Sequence, residues 1–417
     1  MGREKHHRRL TDWLDTYIDY TYNSEPKEIY HRWVSLTVLS AVLQRRCFAV
    51  WEYGRMIFPN IFTVLVGPSA ARKGTAMYPG YKLLQELNIP VSNDSPTKEY
   101  LITKMASTRN EWRDKEGSMH EDSPFMIYSE EWTSFMGFKD DLFMSYLREW
   151  YDCSKPTWSR GTCLKGEEEI QGLCVTMLGA TTSPLLNAML PDTTTSGGFT
   201  SRVLFIYAND SKCRISDPRV TQAEITMHED ILADLCHIKS LSGEFSIAPD
   251  FMECYNPWYH NKDSDLDFGT AYDARFDGYK GRRSQHLRKL AMLCCVSRTD
   301  DLIIRAQDFE RALGFLREAE ADMTHALVAV GNNPQFYLAH RIAGFIGGLK
   351  EKRCDVQAIV GAFSHDHTND DIHGALVLAQ GNGAIKLFQS KDGAIAQWVE
   401  SASRRKMLER RVKSHTD

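Results

Sequence analysis

The stretch Ile61-Phe62-Thr63-Val64-Leu65-Val66-Gly67-Pro68-Ser69-Ala70-Ala71-Arg72-Lys73-Gly74-Thr75 decides how this chain is read. Its opening residues are apolar or β-branched and stop at a glycine, the signature of a short buried strand. A loop of small residues follows, and Lys73 then opens a helical pattern in which Pro79 predicts a break or kink. Strand, glycine-led loop and helix form one local unit, and the rest of the chain is read outward from it.

Upstream, Leu10, Trp13, Leu14 and Ile18 recur near the helical period, Ser24-Glu25-Pro26 punctuates, and a second helical run spans 29–43. Residues 47–53 are β-like. Downstream, strands are expected at 125–128, 173–178 and 203–207, with helices at 97–112 and 142–151 between them. Short buried strands separated by helices imply a mainly parallel sheet covered by helices, the α/β class. After Asn209 the pattern is mostly helical, clearest at 283–297 and 306–328. Asn332-Asn333-Pro334 marks a break. Helices at 336–349, 356–363 and 369–378, the turn Gly381-Asn382-Gly383 and two β-like pieces at 384–389 and 394–399 then suggest a winged helix. The expected organisation is a helical region (1–46), a core (47–210), a helical lid or extension (211–331), a winged-helix-like domain (332–400) and a basic tail (401–417).

With 417 residues the chain can bury a sizeable core, and 42% hydrophobic with 25% charged residues is an ordinary globular mix. The longest apolar stretch, 33–43, is far short of the roughly 20 residues a bilayer span needs. No signal peptide is visible at the basic amino terminus, so a cytoplasmic location is expected, host cytoplasm if phage-encoded, with no membrane partner. Ten scattered cysteines lack CxxC spacing and read as reduced thiols. A net charge of −5 excludes wholesale coating of a nucleic acid but leaves room for local basic patches.

A loop that cradles phosphate needs convergent backbone N–H groups, a helix amino terminus beneath them, a lysine for the β/γ-phosphates and a hydroxyl for Mg²⁺. Gly67, Ser69, Ala71, Arg72, Lys73, Gly74 and Thr75 supply that pattern, so ATP and Mg²⁺ are the expected cofactors. Two positions depart from the usual form. Arg72 replaces the glycine before the lysine, implying an unusual turn or a second cation at the phosphates. Gly74 takes the usual Ser/Thr place, so Thr75 is the candidate metal ligand; the Lys-Gly-Thr ending resembles the loop of adenylate-kinase-like enzymes.

The strand at 125–128 runs into Ser129-Glu130-Glu131, acids at a strand's carboxyl end where a P-loop ATPase places its second acidic motif. Glu130 is assigned to the Mg²⁺ shell and Glu131 to polarising the attacking water; Ser129 takes the first place if the frame slips by one. Thr181 or Thr182, at the tip of the strand expected beside the phosphate strand, suits a γ-phosphate sensor, while Ser183-Pro184 is equally good helix-capping chemistry. Gly197-Gly198 delivers Arg202, which suits an arginine finger reaching a neighbouring subunit's nucleotide, or a plain surface arginine. Lys155, Trp158, Arg160 and Lys165 form a basic loop or hairpin that can contact DNA, with Trp158 stacking on a base.

With these blocks in order, the chain resembles the phage- and mobile-element-encoded P-loop ATPases, a family whose domain of unknown function accompanies replication and primase–helicase proteins. The matching pieces are Ser24-Glu25-Pro26 with Trp33, Pro59-Asn60, Gly67-Pro68-Ser69 with Arg72-Lys73, Ser129-Glu130-Glu131, Trp158 to Thr162, Gly179-Ala180-Thr181-Thr182, and Gly197-Gly198-Phe199 with Arg202. The resemblance implies a P-loop NTPase with a RecA- or AAA+-like, mainly parallel α/β core, acting on single-stranded or forked DNA as a homo-hexamer or other ring, with a primase or replisome partner. The leading expectation is therefore an ATP-dependent DNA helicase or translocase in phage or plasmid replication. A nucleotide-binding initiator or loader scaffold, or a packaging-type motor that unwinds nothing, is the alternative; a small-molecule phosphotransferase fits the basic tail and winged-helix pattern poorly. Asp370 and Asp371 on the third helix of that segment would be repelled by groove phosphates, which leaves the tail around Arg404 and Lys413 to touch DNA.

Overall fold

The computed structural model describes residues 8–92, 96–114, 117–136, 140–162, 166–189, 198–261, 277–327, 334–349, 351–364, 368–381, 384–390 and 393–399. It is an α/β protein with mixed sheets, and the chain divides into two compact units, Met1–Leu327 and Val328–Asp417. Among the described residues no helix is long and apolar enough to cross a membrane.

In the first unit, α1 (Trp13–Tyr20) and α2 (Glu28–Leu43) precede β1 (Cys47–Trp51) and β2 (Arg55–Ile57). Then come β3 (Phe62–Val66), α3 (Lys73–Glu86), α4 (Lys98–Ser107), β4 (Asn110–Arg113) and β5 (Met119–Ser129). The chain continues through α5 (Trp132–Met136), α6 (Asp141–Asp152), the hairpin β6 (Thr157–Thr162) and β7 (Gly166–Gln171), β8 (Leu173–Thr181), α7 (Ser183–Met189) and β9 (Val203–Tyr207). It closes with α8 (Gln222–Ile238), β10 (Gly243–Ile247), α9 (Pro249–Asn261), α10 (Asp277–Arg298), β11 (Ile303–Ile304) and α11 (Ala306–Leu327).

The larger sheet has the order β4-β5-β8-β3-β9, with β5, β8, β3 and β9 mutually parallel and β4 antiparallel at the edge. Every residue of β3 and of β8 is buried, as expected of parallel strands covered on both faces. One face meets α2, whose Thr37 and Ser40 hydroxyls pair with Thr63 of β3 and Thr176 of β8 at 2.9 Å each. Those pairs give the buried Thr63 and Thr176 hydroxyls their partners, while Thr37 also bonds the Trp33 carbonyl at 2.7 Å and Ser40 Oγ accepts the Ile61 N–H at 3.1 Å. The other face meets α6 through Phe62 against Tyr151 and meets α5 through Trp132 against Phe205. The chain leaves β3 toward β5 and leaves β8 across β3 toward β9, so the connections diverge between β3 and β8. In an open parallel sheet, that divergence at the strands' carboxyl ends is where ligands bind.

Three expectations change. The helix expected at 97–112 stops at Ser107, because Trp112 belongs to β4: its ring stacks on His120 at 4.5 Å and its Nε1 donates to Asp122 at 3.1 Å. Helix α3 runs unbroken through Pro79. The proline forfeits only the bond to the Thr75 carbonyl, while buried Met77, Leu83 and Leu84 anchor the helix. A second sheet, β11-β10-β1-β2, pairs Cys47 with Gly243 and so crosses the boundary expected at 210.

The second unit contains α12 (Pro334–Gly348), β12 (Arg353–Asp355), α13 (Val356–Phe363), α14 (Asn369–Gly381), β13 (Ile385–Ser390) and β14 (Gly393–Trp398). Its sheet order is β12-β14-β13, all antiparallel, around a core that includes Leu338, Ile342, Ile359, Ile372 and Leu376. The hairpin expected after the three helices is present, with β12 as an added strand. Asp371 serves its own helix, accepting from the Thr368 hydroxyl at 2.6 Å at the amino end of α14, where negative charge is favoured. The basic tail 401–417 and the 332–333 junction lie outside the described residues.

Candidate functional site

The loop after β3 lies at the divergence point. Gly67 donates its N–H to the Thr181 carbonyl at 3.3 Å, joining the tips of β3 and β8. Tyr30 of α2 sets its hydroxyl 2.7 Å from the Val66 carbonyl and 3.2 Å from that of Ala208, joining β3 to the end of β9. A Cβ on Gly67 would lie 2.3 Å from the Ala208 carbonyl, so only glycine fits between these strand ends. Residues Ser69–Ala71 form a tight helical turn, and Arg72 follows in the left-handed region at φ 58°, ψ 34° before α3 begins at Lys73. The unusual turn implied by the sequence is therefore present, held by a residue type that rarely adopts it.

Ser69, Arg72, Lys73, Gly74, Thr75, Tyr78 and Glu130 together line a cleft of about 600 Å³. Lys73 is buried within it, and its amine donates to the carbonyls of Gly67 and Pro68 at 2.8 Å each. Burial lowers its pKa. Glu130 comes from the end of β5, two strands from β3, and its Oε1 accepts from the Tyr128 hydroxyl at 2.9 Å. A Cβ on Gly74 would stand 2.8 Å from Glu130 Oε2. The missing side chain at 74 is what lets the longer carboxylate approach the first turn of α3. Of the three candidates at that strand end, Ser129 is buried and Glu130 lines the cleft. Glu131 is exposed at the start of α5, where its carbonyl accepts from Phe135. Thr181 is buried at the tip of β8, the neighbour of β3, with its hydroxyl 3.4 Å from the Thr182 carbonyl.

Among the described residues no cluster of three or more His, Cys, Asp and Glu could hold a metal. A divalent ion here would rest on one carboxylate, a hydroxyl and its ligand's phosphates, the habit of Mg²⁺ rather than of an all-protein cage. Glu130 and Thr75 fit that donor set, and the charge of Lys73 and Arg72 with the amino end of α3 fits a polyphosphate. A second hollow of about 770 Å³ opens at the end of β9, between Lys27 and Ile29 at the start of α2 and His325 of α11.

Arg202 is not in the cleft. It precedes β9, and Val203 pairs with Phe62 at the start of β3, so a strand length of roughly 15 Å separates it from the loop. Its guanidinium is bidentate to Asp152, with Nη2–Oδ2 at 2.6 Å and Nε–Oδ1 at 3.2 Å, and Arg282 adds a contact at 3.1 Å. Burial works to raise the Asp152 pKa, but the bonds and charges of the two arginines outweigh it and hold the carboxyl below its usual range. Nearby, His286 Nε2 donates to the Ser201 carbonyl at 2.9 Å, since a carbonyl can only accept, and Nδ1 therefore accepts a hydrogen bond from the Tyr151 hydroxyl at 3.2 Å. Burial lowers the His286 pKa to about 3.

The expected DNA hairpin needs correction. Trp158 is only 5% exposed, donates to Glu149 at 2.8 Å and packs edge-on against Trp150 and Tyr146, so no face is free for a base. Arg160 is paired with Glu168 across the hairpin at 3.1 Å. Lys155 is exposed before β6, and Lys165 and Gly197 lie outside the described residues. Sequence reasoning missed the site roles of Tyr30, Tyr128 and Tyr78, and saw Glu25 only within a punctuating triplet that is one piece of the family resemblance. A lone tyrosine or a turn glutamate carries no periodic signal, and each gains meaning from a partner distant in sequence. No model of a known protein family matches the chain, and no curated protein matches it.

Proposed function

We propose that the chain is a P-loop ATPase that drives movement along DNA, working as a ring of identical subunits and related to the phage- and mobile-element family it resembles. The observation that carries this reading is the cleft itself: Lys73 opens the helix that follows β3, Glu130 follows β5, one strand separates β3 from β5, and both residues line the cleft at the sheet's divergence point. Mg²⁺, when bound, supplies charge that neutralises the phosphate oxygens. Lys73 then trades the carbonyls of Gly67 and Pro68 for β/γ-phosphate oxygens. Glu130 and Thr75 would hold the ion, and the roles of accepting the proton of the attacking water and of orienting that water are assigned to Glu131 and to the Thr181 hydroxyl. Arg202, at the far end of the strands, can serve only a second copy's cleft, and must exchange Asp152 to do so. The nucleoside is assigned to the hollow at the end of β9, whose Ala208 lies against Gly67 and whose size is in the range of small-ligand pockets.

Support for DNA as the load comes from the family resemblance; the second unit, whose helix–strand–helix–helix–hairpin order is a winged-helix arrangement, carries Asp370 and Asp371 on its third helix and is assigned to a subunit or partner contact rather than to DNA. The test is turnover of Mg·ATP with and without single-stranded DNA. DNA-stimulated hydrolysis that Lys73→Ala abolishes supports the reading, and parental turnover in Lys73→Ala overturns it. Strand displacement on a forked duplex separates a helicase from a loader scaffold that assembles on nucleotide without unwinding.

A further inference from the structure

Arg72 lines the cleft with its side chain half exposed, yet it is tethered: Nε sits 2.5 Å from Glu25 Oε2. The other oxygen of Glu25, Oε1, accepts the Ile215 N–H at 3.0 Å. The Glu25 backbone carbonyl accepts the Lys212 N–H at 2.7 Å, and the Lys212 ammonium sits 3.5 Å from the centroid of the Tyr22 ring. One carboxylate therefore joins the loop at the start of α3 to the connection that carries the chain from β9 to α8. The Arg72 backbone, in its left-handed conformation, gives the side chain a fixed origin at the cleft rim.

We propose that Glu25 is a positioning residue for Arg72, and that a polyphosphate in the cleft draws Arg72 away from it and loosens the 212–215 connection. The inference rests on the reading of the cleft as a phosphate site. A guanidinium binds phosphate through two parallel hydrogen bonds, whereas a pair whose arginine is half in water is weak. A multiply charged anion therefore wins the exchange. Glu25, freed of one partner, no longer has its second oxygen pinned beneath Ile215. Linkage makes the effect reciprocal: whatever holds the 212–215 connection in place weakens polyphosphate binding by the same factor.

The experiment is calorimetric titration of the full chain with inorganic tripolyphosphate and, separately, a non-hydrolysable ATP analogue, for wild type, Glu25→Gln, Arg72→Gln and the double variant. Glu25→Gln should bind about three- to fivefold more tightly, the size of an exposed ion pair. Arg72→Gln should bind more weakly, and the double variant should match Arg72→Gln alone. Hydrogen exchange at the Ile215 amide should accelerate when tripolyphosphate binds wild type and stay unchanged in Arg72→Gln. If Glu25→Gln does not fold, Glu25→Asp keeps the charge, shortens the reach and carries the same cycle. A Glu25 effect that persists without Arg72, or Ile215 exchange indifferent to ligand in wild type, overturns the latch and leaves the phosphate site standing. A wild-type chain that binds neither ligand overturns both.

Discussion

The carboxylate of Glu130 fills the space that any side chain on Gly74 would claim, since a Cβ there would lie 2.8 Å from Oε2 and 3.4 Å from Cδ. The two residues act as one unit, in which the small residue makes room for the longer acid. Gly74→Ser should therefore displace Glu130 and weaken Mg²⁺-dependent nucleotide binding on the order of tenfold, the scale of a disturbed metal support. Glu130→Asp, a methylene shorter, should restore part of it in the double variant. Titration with and without Mg²⁺ checks this. Equal losses in both conditions would mean that the glycine serves the loop alone.

Trp158 should matter to folding and not to DNA. Trp158→Ala removes a buried indole and should cost roughly 3–5 kcal/mol in urea unfolding. Trp158→Phe keeps most of the packing and should leave DNA affinity, read by fluorescence anisotropy, at the parental value. Weaker DNA binding by a stably folded Trp158→Phe protein would return the indole to the nucleic-acid surface.

Arg202 carries two consequences that can be separated. Arg202→Ala strips Asp152 of its bidentate partner, and breaking a buried pair in this way costs a few kcal/mol. Asp152→Asn together with Arg202→Ala should recover much of that stability without recovering turnover. Mixing this double variant with Lys73→Ala should restore hydrolysis partly, because some junctions then join an intact loop to an intact arginine from the next copy. No recovery in assemblies shown to be mixed would mean that each chain's site is self-contained.

Acid should loosen the first unit through its buried histidines. Burial lowers the pKa of His31 to about 4 and that of His286 to about 3. The unfolded chain holds these protons near the ordinary histidine value of about 6.5, so between that value and the folded ones it binds more protons. Stability contributed by neutral burial is complete above about pH 6.5 and falls as pH drops. At about 1.4 kcal/mol per unit, the pair is worth several kcal/mol by pH 4. His31 Nε2 pairs with the Ser24 hydroxyl at 2.8 Å, a bond that Gln can replace. His31→Gln should therefore flatten the fall of the urea midpoint between pH 7 and pH 4. An unchanged slope would place the acid sensitivity elsewhere.

How much of this was legible in the chain differs by element. The strand Val203–Tyr207 falls on the residues expected, because a continuous apolar, β-branched run has one good structural use. Helix α6 likewise lies within a residue of its expected ends at both termini, set by an amphipathic period and the Asp140 cap, whose side chain accepts from Phe143. Strand β10 was invisible: Gly243-Glu244-Phe245-Ser246-Ile247 buries one side chain well and is a strand only because β1 and β11 flank it. Trp112 and Trp158 were misread for a common reason. An aromatic in a polar stretch is ambiguous until its partners, His120 for one and Trp150 with Glu149 for the other, are brought alongside.

The sequence by itself determined the α/β class, the strand and loop from Phe62 to the start of a helix at Lys73, and the placement of acids at the end of a later strand, because these depend on local periodicity and turn chemistry that neighbouring residues dictate. Only the tertiary structure decided that β8 stands between β3 and β5, that Glu130 meets Gly74, that Arg72 is tethered to Glu25 and that Arg202 lies buried against Asp152. Each of these joins groups far apart in the chain. Such contacts follow from strand order and packing, which local preference leaves open because several orders can bury the same apolar runs.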